Sequence, residues 1–73
     1  MAKLTKQELI DMVEMGKKDL SEGSTAGKVT LSLNNYLLMK TTLKYSPQDE
    51  TYDGMHIEIV PDLPDDRVYV TAR

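Results

Sequence analysis

Four groups of residues in this chain have the types and spacing to do chemistry. His56 is the only histidine, and it stands two residues before Glu58 in a stretch that alternates like a strand, which places both on one face. A histidine oriented by a carboxylate is the pair a general base requires. No nucleophile is set beside it by spacing and there is no cysteine. The pair therefore reads as surface or interface residues, and the chain reads as a non-enzyme.

The second group is Gly23-Ser24-Thr25-Ala26-Gly27-Lys28, which invites comparison with a phosphate-cradling loop. Its glycines are one residue too close, Val29 stands where Ser or Thr would hold magnesium, and the segment leaves a helix to enter a strand, the reverse of the required order. It reads as a linker. The third group comprises the acids Asp49, Glu50 and Asp53, and then Asp62, Asp65 and Asp66. Neither set has the alternating ligands, central glycine and terminal Glu of a calcium loop. Both read as solvated loop acids, with no metal and no cofactor implied.

The fourth group is made for recognition. Tyr36, Tyr45, Tyr52 and Tyr69 are the entire aromatic content, and Met12, Met15, Met39 and Met55 add adaptable apolar surface. Met15 falls off the helix's apolar stripe on the side of Met12. Tyr36 and Tyr45 lie near Lys40 and Lys44, an arrangement able to stack on nucleic-acid bases. Phosphate neutralisation by Lys and Arg supplies most non-specific nucleic-acid affinity, and a chain of net charge −3 is poorly suited to it.

These groups must be positioned by a small body. With 73 residues the chain is read as one domain, 1–73, burying only about 60% of the surface its unfolded form exposes. The absence of cysteine fits a reducing compartment. Lys3 and Lys6 are followed by acids rather than an apolar stretch, so no signal peptide is read, and Tyr36 to Met39 is far short of a membrane span. The expected location is the cytoplasm. Lys28, Lys40 and Lys44 lie in an acid-free stretch, whereas residues 49 to 66 carry seven acids and no Lys or Arg. The two halves are expected to complement one another within one sheet.

Leu4-Thr5-Lys6-Gln7-Glu8-Leu9 specifies a helix start: Thr5 is the N-cap, Glu8 completes a capping box, and Leu4 and Leu9 form a staple. Leu9, Val13, Gly16 and Leu20 make one stripe, with Gly16 explained by close approach of the helix to a sheet. Gly23 is the natural residue past the helix end. From Lys28 to Ser46, apolar residues at alternate positions on either side of Asn34-Asn35 predict a β-hairpin. A two-residue loop pairs Leu33 with Tyr36 and a three-residue loop pairs Leu33 with Leu37, so the register stays open. Met55 to Val60 and Arg67 to Arg73 predict two further strands around a turn at Pro61 to Asp66. The expected fold is α+β: one N-terminal helix on a four-stranded, mostly antiparallel sheet built of two hairpins.

The function expected is that of a non-catalytic module that binds another protein, in the manner of a small inhibitor or accessory protein of phage or mobile-element type. Met12, Met15, Tyr36 and Tyr69 are its contact residues. The alternative is a homodimer or larger oligomer that sequesters a small molecule or nucleotide between subunits, using Lys40, Lys44, Tyr45 and His56. No membrane role is expected.

Overall fold

The computed structural model describes residues 4–73; Lys3, weighed above for a targeting signal, lies outside them. Helix α1 spans Lys6–Lys18 and starts as its sequence dictates. Thr5 Oγ1 accepts from the Glu8 amide at 3.1 Å, and Glu8 Oε1 accepts from the Thr5 amide at 2.9 Å. It ends at Asp19, a turn before Gly23, whose φ of 83° serves the turn that follows.

Strand β1 (Ala26–Leu31) buries Val29 and Leu31 and leads into a second helix, α2 (Leu33–Met39), where the sequence pattern had predicted a hairpin. Ser32 explains the difference. Its backbone is extended and its Oγ accepts from the Asn35 amide at 3.2 Å, so it caps a helix, and Asn34-Asn35 forms that helix's first turn. Leu33, Tyr36 and Leu37 have the spacing i, i+3, i+4 of a helix face, while Leu33 and Leu37 also fit alternation, and periodicity over so short a run cannot separate the two. Thr41 and Thr42 hydroxyls then donate to the carbonyls of Leu38 and Met39 at 2.6 and 2.7 Å, closing the helix's last turn.

The remaining strands are β2 (Tyr45–Ser46), β3 (Thr51–Tyr52), β4 (Met55–Ile59) and β5 (Val68–Ala72). They form one mixed sheet in the order β2-β3-β4-β1-β5. The α+β class holds, with two helices and five strands in place of one and four. Asp53 and Gly54, at φ of 52° and 81°, make the two-residue turn that joins β3 to β4 as a true hairpin. The last two strands do not pair with each other: β4 runs parallel to β1 on one side and β5 antiparallel to it on the other. A parallel neighbour needs a crossover, and the α2 segment supplies it.

Leu9, Val13, Val29, Leu31, Met39, Tyr52 and Met55 are the buried core. Strand alternation puts Val29, Leu31, Ile57, Val68 and Val70 on the face under α1, and Lys28, Thr30, His56, Glu58, Tyr69 and Thr71 on the other. Gly27 lies at a bulge between β1 and β5, and a side chain there would meet Arg73 Cα at 2.8 Å. No helix among the described residues is long and apolar enough to cross a membrane.

Candidate functional site: the open edge of the last strand

The sheet ends on one side at β2, two residues long, and on the other at β5, five residues long. A very short edge strand offers little to pair with, whereas a long one presents a row of unsatisfied backbone groups. Nothing within Val68-Tyr69-Val70-Thr71-Ala72 blunts that edge, which has neither proline nor internal charge. The Arg73 amide donates to the Thr25 carbonyl at 2.8 Å, on the β1 side. By the alternation of a strand, Tyr69 and Thr71 share that direction, and the N–H and C=O groups of Val68, Val70 and Ala72 point off the open edge.

Helix α1 lies over this strand, with Gly16 above Val70. At roughly 100° per residue, Ile10, Glu14 and Lys17 occupy one flank of the helix, while Met12 and Met15 occupy the other. Lys17 Nζ reaches Asp53 Oδ2 at 2.6 Å and Glu14 Oε1 meets Lys44 Nζ at 2.8 Å, so the first flank faces the β3–β4 side of the sheet. Met12 and Met15 therefore overhang the other side, past the edge of β5. Met12 is half-buried and Met15 is 63% exposed. Tyr69, 46% exposed, flanks the same edge from the opposite face, where its hydroxyl receives a long 3.4 Å hydrogen bond from Arg67.

Three of the four residues expected to contact a protein thus frame one edge. The fourth, Tyr36, lies away from it in a cluster of its own on the α2 side. Its ring meets Tyr45 edge-on with centroids 6.4 Å apart, and Lys40 Nζ stands 5.4 Å from its centroid. A hydrogen bond with Tyr36, followed by desolvation, raises the Tyr45 phenol above its ordinary value. Lys40 and Tyr45 are brought together here, whereas Lys44 turns to Glu14 and His56 stands on the opposite face of the sheet. Glu58 does not orient His56, because its carboxylate is taken by Lys28 at 3.3 Å and by the Thr30 hydroxyl at 3.1 Å.

The charge network on the other flank of α1 is compact. The Glu14 carboxyl is held below its usual range, first by the Lys44 hydrogen bond and then by the Lys17 charge. Lys17 and Lys44 are raised, chiefly by their hydrogen bonds to Asp53 and Glu14. These contacts pin α1 to the sheet from the side away from the open edge. Among the described residues no group of three or more His, Cys, Asp or Glu could hold a metal ion.

Sequence reasoning did not find the exposed leucines of α2 and of the segment after it, because it placed them in a strand: Leu33 and Leu37 on the helix are half-exposed, and Leu43 beyond it is fully exposed. The signal for them was the Ser32 cap. Compared with family models, with curated proteins and with solved structures, the chain has no match among any of the three.

Proposed function

We propose that this chain is a non-catalytic protein-binding module, an inhibitor or accessory protein that occupies a surface of another protein by accepting an extended segment along β5. The observation that carries the reading is the convergence on one edge of outward N–H groups, two overhanging methionines and Tyr69. Strand addition uses main-chain hydrogen bonds for affinity and flanking side-chain contacts for specificity, and both are supplied here. Methionine suits the second task because it is flexible and polarizable.

The charges at the ends of the strand favour a foreign segment over a second copy. Pairing all five residues of β5 with those of a copy centres the contact on Val70 and sets Arg67 opposite Arg73 at both ends. Like charges directly opposite destabilise a strand pair, so a segment with acids at those places fits better.

The test uses the intact chain in its own host, with a photo-crosslinking side chain at Thr71 or at Met15. Both positions are expected to yield the same adduct with a different polypeptide, and Ala72→Pro, which removes one outward donor, is expected to abolish it. Adducts that survive Ala72→Pro, or that form only between copies of this chain, would overturn the reading.

A second reading rests on the Lys40, Tyr36 and Tyr45 cluster, which has the cation and aromatic faces that a small anionic ring compound would use. Under it the chain is a homo-oligomer holding that ligand between subunits. Ultraviolet-absorbing material released by acid from protein purified from its host would support it, and clean protein that stays monomeric would not.

A further inference from the structure

A second apolar surface lies away from the β5 edge, where the first turns of α1 meet α2 and the segment after it. One shallow depression, of about 320 Å³, is lined by Leu4, Asn34, Asn35, Leu37 and Leu38. Another, of about 360 Å³, is lined by Lys6, Ile10, Leu43 and Lys44 with Thr41 and Thr42. Leu33 and Leu37, one turn apart on α2, and Leu43 beyond it stand beside them half- or fully exposed. Single exposed leucines need no explanation, but several along one seam mark a contact surface.

The second depression is lined by two ammonium groups and no acid, while the Asp65 carboxylate, which accepts from Asn34 at 3.0 Å, borders the first. Lys6 and Lys40 have no ion-pair partner among the described residues, and Lys44 adds a third ammonium group, shared with Glu14. Both depressions are lined by Leu4, by residues of the two helices and by the segment between α2 and β2, and the strand edge that begins beside Lys44, β2, is only two residues long, so an extended segment would find almost no ladder to join. An incoming helix satisfies its own backbone and needs only an apolar stripe to bury. We propose that the α1–α2 seam binds an amphipathic helix of a partner protein, with leucine-type residues facing Leu37, Ile10 and Leu43 and acidic residues facing Lys6, Lys40 and Lys44. This surface uses none of the residues of the β5 edge, so it holds or fails independently of that reading, and the chain then bridges two segments.

The experiment is a titration of the isotope-labelled intact chain with a synthetic alanine-rich helix of about six turns, beyond the length at which isolated helices are marginal. The helix carries leucine at i, i+4 and i+7 and glutamate on the flanks. Amide shifts are expected at Ile10, Leu37 and Leu43, with affinity falling as salt rises. Leu37→Asp should abolish binding with an unchanged melting temperature, since the side chain is half-exposed. Lys6→Glu with Lys40→Glu should weaken the acidic helix by about tenfold and shift preference to the same helix carrying lysine for glutamate. Equal binding of the acidic and basic helices by the unmodified chain would overturn the proposal. So would shifts confined to β5, binding of anionic lipid vesicles without binding of the helix, or self-association abolished by Leu37→Asp.

Discussion

Gly16 of α1 lies over Val70 of β5 so closely that a methyl group added at Gly16 would sit 2.8 Å from Val70 Cγ2 and 3.0 Å from its Cβ. Glycine within a helix costs roughly 1 kcal/mol against alanine, and here the missing side chain lets the helix rest on the edge strand. Gly16→Ala is expected to destabilise the protein by about 1–3 kcal/mol in urea unfolding despite its better helix propensity, because the strain of over-packing exceeds the gain. Gly16→Ala combined with Val70→Ala should recover part of that loss. An unchanged or raised stability in Gly16→Ala would mean the helix can lift away from β5.

Helix α2 is held at its start by Ser32 and by Asn35, whose buried side chain donates to the Asp65 carbonyl at 2.8 Å, while Asn34 donates to the Asp65 carboxylate at 3.0 Å. Ser32→Ala should cost about 1 kcal/mol and lower the helical signal in far-ultraviolet circular dichroism. Asn35→Ala should cost about 1–3 kcal/mol, since it leaves a part-buried carbonyl without its donor. A hairpin at this place would be indifferent to Ser32→Ala, so the pair of measurements separates the two conformations.

The Tyr52 hydroxyl is buried and has no hydrogen-bond partner among the described residues. An unsatisfied buried polar group is a cost rather than a contribution, so Tyr52→Phe should stabilise by about 1 kcal/mol and raise Tm by several degrees. Burial holds this phenol above its ordinary 10.0. Because the folded value is the higher one, ionisation of this phenol leaves stability untouched below pH 10.0 and lowers it as pH rises from there through the folded value. The unmodified chain should therefore lose stability in that alkaline window, and Tyr52→Phe should lose less. Equal alkaline sensitivity in both would contradict the assignment.

Glu14 sets the acid side. Its folded-state value lies below the ordinary 4.5, through Lys44 first and Lys17 next, so its contribution is present above pH 4.5 and is lost as pH falls through the folded value. The stability difference between the unmodified chain and Glu14→Gln should shrink toward zero across that acid window and be reduced by salt at neutral pH, as an exposed network is screened. A difference independent of pH would point to packing of the side chain instead.

The legible parts of the fold were those carried by local chemistry. The Thr5–Glu8 box fixed the start of α1, alternation found β1, β4 and β5, and Gly16 in the apolar stripe announced a close approach that the structure places at Val70. Illegible parts were those where two local signals competed. Asn34-Asn35 suits a tight turn as well as the first turn of a helix, with only the Ser32 cap to decide between them, and the Asp53-Gly54 turn gives no strand pattern before it because β3 is only two residues long. Strand order was beyond pattern altogether, since β4 and β5 alternate alike whether they pair with each other or flank β1. Of the site, Met12, Met15 and Tyr69 were visible by residue type. That they share one edge depends on α1 sitting over β5, a tertiary relation.

The most direct measurement is amide hydrogen exchange along β5, in the chain alone and in complex with the polypeptide that crosslinks through Thr71. Alone, the amides of Val68, Val70 and Ala72 should exchange fast while those of Tyr69 and Thr71 are protected by β1. In the complex, Val68, Val70 and Ala72 should gain protection, giving five consecutive slow amides. Protection that appears only on α2, or that leaves Val68, Val70 and Ala72 as fast as before, would contradict strand addition at this edge.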